Sequence, residues 1–346
     1  MNNPDKIEIG VKYVGEGEPS YIVAEVGSNH NGDFQIAKEL IGTAADAGAD
    51  AIKFQVFSAE KHYSRNTPHH SGYNENLYNL IKKLEIPREW LADLKSYSDK
   101  KGILFFASPC DYEAVNQLEE IGVALHKIAS FEIVDLELIR YVARKQKPLI
   151  VSTGLANMGE IEDAYRACLE VNNKNVIFLQ CASSYPSSPD IMNLRAMETI
   201  SKTFNVNTGL SDHTQDIHVS VASVAMGAKL IEKHFTLDKK MVGPDHSFAT
   251  EPREFARMVK QIRDVESALG TGMKCGPSPS EMENFEKARR SIHAACDIPN
   301  GTEITKNMLI TKRPGYGIRP KLIDIVIGRK SRIDIKEDRW ITWEMI

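Results

Sequence analysis

Two histidines occupy matching places in two apolar runs that end in polar side chains. His213 lies in "GLSDHT" (209–214) and His234 in "IEKHF" (231–235). Two imidazoles without a cysteine leave coordination positions open, which suits a substrate-binding divalent ion better than a closed structural zinc site. Mn2+, Mg2+ or Co2+ fits such a shell once waters and a substrate oxygen complete it. Lys53 and Lys127 stand near the ends of similar runs. A lysine in a dry site either meets an anion or has its ammonium disfavoured by burial. With Ser108, Ser130, Ser152 and Ser211 the pair makes a cationic, hydroxyl-rich cradle for a small phosphorylated carboxylate. The competing chemistry is a Schiff base on one of the lysines, as in an aldolase. Glu25 and Glu132 add carboxylates for proton handling or for gripping sugar hydroxyls. Gln55, Ser183 and Tyr185 close the same kind of run, as do Asn29, His30 and Asn31. Asp212 and Thr214 complete the polar stretch after Leu210 and are expected to deliver ligands to the same pocket.

The elements that must gather these residues follow one rhythm from about residue 20 to residue 270. A short apolar run, polar punctuation and a helix-period segment repeat. The runs are "YIVAEVG" (21–27), "AIKFQVF" (51–57), "ILFFAS" (103–108), "LHKIAS" (125–130), "PLIVSTG" (148–154), "VIFLQCA" (176–182), "NVNTGLS" (205–211) and "KLIEKHF" (229–235). The helical pattern falls at 33–47, 87–101, 111–121, 135–145, 157–172, 190–203, 215–226 and 252–269. Eight such units predict a closed (β/α)8 barrel, whose strands deliver their C-terminal ends to one mouth. An open doubly wound sheet normally shows a Gly-rich phosphate loop after its first strand, and "GSNHNGD" does not match that pattern. The insertion 58–80 is polar and aromatic, and its length fits a functional lid. The expected division is an α/β barrel over 1–270, a Gly-, Pro- and Ser-rich linker over 271–290 and a small β-rich domain over 291–346. A domain that small is marginal alone and should pack on something.

Composition narrows the function further. A net charge of -4 and only short basic runs exclude a broad nucleic-acid surface. No apolar run is long enough to cross a bilayer, and the polar start "MNNPDKIEIG" lacks a signal-peptide core. The five cysteines, Cys110, Cys168, Cys181, Cys275 and Cys296, show neither zinc-knuckle nor redox-pair spacing. A reducing, cytoplasmic setting is therefore expected. His62, His69, His70, His126 and His246 read as surface or structural residues, as does His30.

Taken in order, "AEVGSNHNGD", "GADAIKFQ", "KIASFEI", "STGLANMGEI", "GLSDHT", "IEKHFTLD" and "GPDHSF" resemble the sialic acid synthase family. "KRPGYGI" (312–318) is similar to the antifreeze-like (SAF) module that ends those enzymes. The resemblance spans nearly the whole chain. It implies condensation of phosphoenolpyruvate with N-acetylmannosamine or a related 2-acylamino sugar, giving a nine-carbon 2-keto acid and phosphate. It also implies a domain-swapped homodimer in which the SAF module closes the partner's barrel. By the same resemblance, His213 and His234 hold the metal. Lys53, Ser108, Lys127, Ser130, Ser152, Ser183 and Ser211 hold phosphoenolpyruvate, and Glu25 sits beside the reacting carbons. Gln55, Glu132, Tyr185 and Asp245 position the sugar, and Arg313 reaches its acylamino group from the other subunit. Phe131, Ser183 and Gln180 depart from the common sialic acid pattern towards synthases of pseudaminic acid or spore-coat sugars. "GPDHSF" and "KRPGYGI" lean towards the sialic or legionaminic branch. A legionaminic or pseudaminic acid synthase is thus the first alternative, and a non-catalytic sugar-binding relic the last.

Overall fold

The computed structural model describes residues 4–67 and 76–346; His69, His70 and the centre of the 58–80 insertion lie outside the described residues. The chain divides into two compact units, Met1–Gly270 and Thr271–Ile346.

The first unit opens with an antiparallel hairpin of β1 (Ile7–Ile9) and β2 (Lys12–Val14). Eight strands follow: β3 (Tyr21–Gly27), β4 (Ala51–Val56), β5 (Leu104–Pro109), β6 (His126–Ile128), β7 (Leu149–Ser152), β8 (Val176–Cys181), β9 (Asn207–Asp212) and β10 (Leu230–His234). They form one parallel sheet in the order β5-β4-β3-β10-β9-β8-β7-β6, and its two edge strands come into contact. The sheet thus curls into the barrel that the eight apolar runs predict. Helices return the chain between strands: α1 (Phe34–Asp46), α2 (Ala59–His62), α3 (Leu77–Leu84), α4 (Leu91–Lys101), α5 (Tyr112–Glu120), α6 (Leu136–Ala143), α7 (Met158–Leu169), α8 (Ala196–Phe204), α9 (His218–Ala225) and α10 (Pro252–Leu269). The polar punctuation starts several of them. Asp33, Asp111 and Asp135 accept bonds from the first-turn amides of α1, α5 and α6. Asn157 and Glu160 form a reciprocal cap on α7, satisfying amides that a helix start leaves open.

The strands' two faces have different jobs because side chains alternate. Ile22, Ala24 and Val26 of β3, with Ile52, Phe54 and Val56 of β4, pack outwards among buried residues such as Leu40, Leu94 and Phe255 of the helices. The opposite face looks into the barrel. Its lower half is apolar: Tyr21, Val23, Ala51, Phe106, Ile150, Ile177, Leu179 and Leu230 cluster with Ile7, Ile9 and Val14 of the hairpin. The hairpin therefore plugs the N-terminal end, and water is excluded below the site. Gly209 is required by this packing. A Cβ there would lie 2.1 Å from the Leu230 carbonyl oxygen and 2.9 Å from Leu179 Cδ2.

At the start of β6, Glu119 Oε1 lies 2.7 Å from His126 Nε2 and 2.8 Å from Lys147 Nζ. This cluster sits at the N-terminal end of the barrel, where residues serve stability. Partial burial disfavours the Glu119 charge, but His126 and Lys147 outweigh it and hold its pKa near 2, below the ordinary 4.5. A depressed carboxylate stabilises the fold above its unfolded pKa and loses that contribution as pH falls through the folded one. Glu119→Gln should therefore lower Tm by about 2–4 °C at pH 7. The gap to wild type should narrow as pH falls from 4.5 towards 2. Thermal scans over that range check this; a gap that ignores pH would assign the loss to packing.

The second unit holds the two-stranded antiparallel sheet of β11 (Ser291–Ala294) and β12 (Leu309–Lys312). Isolated bridges His293–Trp340, Ile298–Ile335 and Glu303–Lys330 tie its loops together. Its own core contains Ile292, Ile298, Ile304, Val326, Ile335 and Ile341. Among the described residues, no helix is long and apolar enough to cross a membrane.

Candidate active site

Above the apolar floor the barrel interior turns polar within one side-chain layer. The alternation that puts Val23 inside also puts Glu25 inside, and likewise Lys53 above Ala51, Ser108 above Phe106 and Ser152 above Ile150. The ladders set Glu25 opposite both Lys53 and His234, Gln55 opposite Ser108, and Ser211 opposite both Glu232 and Cys181.

The lysines meet a residue that the sequence reading missed. Lys53 Nζ lies 3.0 Å from Glu232 Oε1 and 3.3 Å from Glu25 Oε2. Lys127 Nζ is 3.7 Å from the same Glu232 oxygen and donates to Ser152 Oγ at 2.7 Å. Ser211 Oγ also donates to Glu232 Oε1, at 3.3 Å, and Ser108 Oγ stands 3.4 Å from Lys53 Nζ. The cradle is therefore not simply cationic: two ammoniums face two carboxylates. Burial works against the charge on Glu232, but Lys127 and Lys53 outweigh it and hold the carboxyl near 2. Burial pushes Glu25 up to about 7, against the pull of Lys53 and with Glu232 adding to the rise. Burial also disfavours the Lys53 ammonium, yet Glu232 and Glu25 keep its pKa above the ordinary lysine value. Burial pushes the Lys127 ammonium below it. Glu232 was legible in principle. It stands two residues before His234, so the strand period places both on the inner face.

A second cluster gathers around Gly154. Its N–H donates to Ser130 Oγ at 3.0 Å, and a Cβ at this position would lie 2.7 Å from that oxygen and 2.2 Å from Ser183 Oγ. Ser183 Oγ is buried and has no hydrogen-bond partner among the described residues. Two hydroxyls thus crowd the Gly154 backbone closely enough to exclude a side chain there.

The two histidines stand side by side at the mouth, at the ends of neighbouring strands β9 and β10. Their ring centroids are 5.3 Å apart. His213 Nδ1 donates to the Ala182 carbonyl at 2.8 Å, which in the neutral ring leaves the lone pair on Nε2. Cys181 Sγ lies 3.8 Å from the same Nδ1. Burial holds His234 well below the ordinary histidine pKa, with His213 adding to the effect, so its ring is neutral at pH 7. His234 Nδ1 is buried without a hydrogen-bond partner among the described residues, and Asp245 Oδ2 lies 3.8 Å away. A neutral, unpartnered imidazole nitrogen beside a second imidazole and a carboxylate fits a divalent ion with open positions. Tyr185 stacks on His213 at 4.4 Å between centroids and approaches Phe248 at 5.7 Å. Burial pushes Asp245 up to about 6.

Asp245, Gln55 and Glu25 meet around Gly27. Its φ of 55° is left-handed, and a Cβ there would lie 2.9 Å from Asp245 Oδ2, 3.4 Å from Gln55 Nε2 and 3.6 Å from Glu25 Oε1. Gln55 Nε2 donates to Glu25 Oε1 at 2.7 Å. Glu132 stands at the end of β6 and pairs with His62, 3.3 Å from His62 Nε2. Arg313 belongs to the second unit and is exposed just after β12.

Not every polar strand end joins in. Asp212 and Thr214 turn away from the barrel axis, contrary to the expectation that all four residues after Leu210 deliver ligands. Asp212 Oδ2 receives Lys233 Nζ at 3.0 Å and Ser220 Oγ at 2.5 Å, and Asp212 Oδ1 receives Thr214 Oγ1 at 2.7 Å. Alternation explains the split: Ser211 and His213 share one face, Asp212 and Lys233 the other. Asn29 and His246 likewise serve loops, donating to the Phe235 carbonyl and to Asn31 Oδ1.

A profile of the NeuB family matches residues 40–274, and one of the SAF domain matches 289–346. The chain belongs to the NeuB family. It is 39% identical to the N,N'-diacetyllegionaminic acid synthase of Campylobacter jejuni, over 92% of this chain and 98% of that one. It is 36% identical to the N-acetylneuraminate-9-phosphate synthase of Homo sapiens, over 97% of this chain and 95% of that one. The solved sialic acid synthetase of Leptospira borgpetersenii superposes with a TM-score of 0.75 at 37% identity, covering 83% of this chain and 97% of that one. This NeuB-family chain is therefore a sialic acid synthase-like enzyme: a (β/α)8 barrel with a SAF domain at its C-terminal end.

Proposed function

We propose that this NeuB-family enzyme condenses phosphoenolpyruvate with the open-chain form of a 2-acylamino sugar, giving a nine-carbon 2-keto acid and phosphate. The observation that carries this reading is the layering of one mouth. A buried Lys53–Lys127–Glu232–Glu25 group lies below, and two convergent imidazoles stand above it. Lys53, Lys127, Ser108, Ser152 and Ser211 would grip the phosphate and carboxylate of phosphoenolpyruvate. Ser130 and Ser183 would add hydroxyl donors beside Gly154. Gln55, Glu132, Asp245 and Tyr185 would orient the sugar, with Arg313 supplied by the SAF domain of a swapped partner in a homodimer.

His213 and His234 would hold a divalent ion, Mn2+, Mg2+ or Co2+, which when bound supplies Lewis-acid polarisation of the sugar aldehyde. Attack by the enol methylene on that aldehyde leaves positive charge on the enol carbon. The Glu25 carboxylate, placed among the reacting groups, stabilises that charge. It then takes a proton from the water that adds there, and the tetrahedral carbon expels phosphate by C–O cleavage. The apolar floor and the hairpin keep other water out.

Two acceptors compete. N-acetylmannosamine is the acceptor the sialic acid resemblance implies. The Campylobacter relative favours a sugar with two acetamido groups, a legionaminic acid precursor. Phosphate release with Mn2+, phosphoenolpyruvate and a panel of acetamido sugars decides between them. Release is expected with at least one acceptor and should cease on chelation. Chelator-resistant turnover with borohydride trapping of pyruvate on Lys127 would instead establish the Schiff-base alternative, and silence with every acceptor would support a binding relic.

A further inference from the structure

Across the mouth from the two active-site histidines, strand ends β4, β5 and β6 carry a separate group of donor atoms. Among the described residues, His62, Cys110 and Glu132 each offer a ligand atom, all within 4.8 Å of one another. His62 closes α2, which follows β4, and Cys110 directly follows β5, where its amide donates to the Val56 carbonyl at 3.3 Å. Glu132 lies in the short turn after β6. Three consecutive barrel units thus converge on one point of the rim. His213 and His234 belong to the opposite arc, at β9 and β10.

The donor set is a soft one. Imidazole, thiol and carboxylate together select zinc over magnesium or calcium. Around a tetrahedral zinc with bonds of about 2.0–2.3 Å, neighbouring donors stand roughly 3.3–3.6 Å apart. His62 Nε2 and Glu132 Oε1 already sit 3.3 Å apart. That contact accounts for those two residues but not for a thiol beside them. The Cys110 thiol is held well above its ordinary pKa by burial first, then by the Glu132 and Asp111 carboxylates. A cation bound by the three donors displaces the thiol proton to solvent. His62 keeps about a fifth of its side chain exposed, 22%, so an ion has a route in.

We propose that His62, Cys110 and Glu132 form a second metal site on the barrel rim, selective for Zn2+ and distinct from the His213–His234 pair. Zinc there occupies Glu132, a residue assigned above to the sugar, so the site is inhibitory. The inhibitory role rests on that reading; the binding site does not.

The test uses the full-length protein, stripped with a chelator and titrated with Co2+ as a spectroscopic probe and then with Zn2+. Wild type is expected to show a cobalt–thiolate charge-transfer band that zinc abolishes. The His213→Ala/His234→Ala double variant should retain the band. Cys110→Ser should lose it, with zinc affinity at this site falling by more than the roughly 10–100-fold cost of a lost outer-shell partner. His62→Gln should weaken it, and circular dichroism confirms that each variant folds. Absence of the band in wild type, or its survival in Cys110→Ser, overturns the site. With Mn2+ present, zinc should inhibit wild type at concentrations that leave Cys110→Ser unaffected. Equal inhibition of both overturns the inhibitory role even where the band supports the site.

Discussion

Exchanging Glu25 for Gln is expected to cut turnover by about 10²–10⁴-fold while leaving phosphoenolpyruvate binding within a small factor of wild type. The substitution keeps the side chain's size in a place that is only 1% exposed, so the barrel should tolerate it. What it removes is the charge. Glu25 is ionised in part at pH 7 because burial has pushed it up to about 7. A carboxylate in that range can stabilise a developing cation and still accept a proton from water. In wild type, kcat/KM should therefore rise with pH through an apparent pKa near 7, a value that belongs to the Glu25–Glu232 pair rather than to either group. That limb should vanish in Glu25→Gln, leaving a low, flat profile. Calorimetry with phosphoenolpyruvate and phosphate-release kinetics separate binding from turnover. A variant with full kcat, or one that keeps the same pH limb, would take Glu25 out of the chemistry. In ¹⁸O water the residual product should carry label in the keto acid; label in phosphate would move the bond cleavage to P–O.

The barrel was legible because topology does much of the work. Eight apolar runs separated by helices leave few arrangements, and in a closed parallel barrel every strand's C-terminal end reaches one mouth. Residue type and position then sufficed to gather Glu25, Lys53, Lys127, Ser211, His213 and His234. Which face each side chain takes was harder, because a shift of one residue inverts a strand's faces. Asp212 and His213 are adjacent in "LSDH" and equally polar, yet one anchors Lys233 behind the sheet and the other lines the mouth. Glu232 was passed over for the same reason, hidden in an ordinary-looking "EKH". The hairpin plug escaped notice because three-residue strands are too short to show alternation. Its Gly10 at a φ of 62°, first of the two residues between Ile9 and Lys12, marks the turn only once the register is known. The tie between His213 and the Ala182 carbonyl joins the residues that directly follow β9 and β8, a contact that no local pattern announces.

Replacing His234 by Ala should lower kcat by about 10³-fold or more if the ion it helps hold supplies the aldehyde's polarisation. The two rings are held differently. The His234 Nδ1 is buried without a partner among the described residues, so no hydrogen bond there offsets its burial. His213, in contrast, is oriented by the Ala182 carbonyl and stacked under Tyr185. A lone His213 ring would bind the ion weakly, and so would a lone His234 ring. His213→Ala should therefore match His234→Ala, and the double variant should be scarcely worse than either, as expected of residues acting as one unit. Bound-manganese stoichiometry should fall in step with kcat in all three, and Mn2+ should restore chelated wild type but none of the variants. The fold of His234→Ala should survive, because its Nδ1 has no hydrogen bond to lose among the described residues. Unchanged Tm with lost manganese and lost turnover is thus the expected triad of results for that variant. Full activity in His234→Ala would detach the imidazole pair from catalysis. So would a double variant that loses the product of the two single losses, since independent contributions rule out one shared ion.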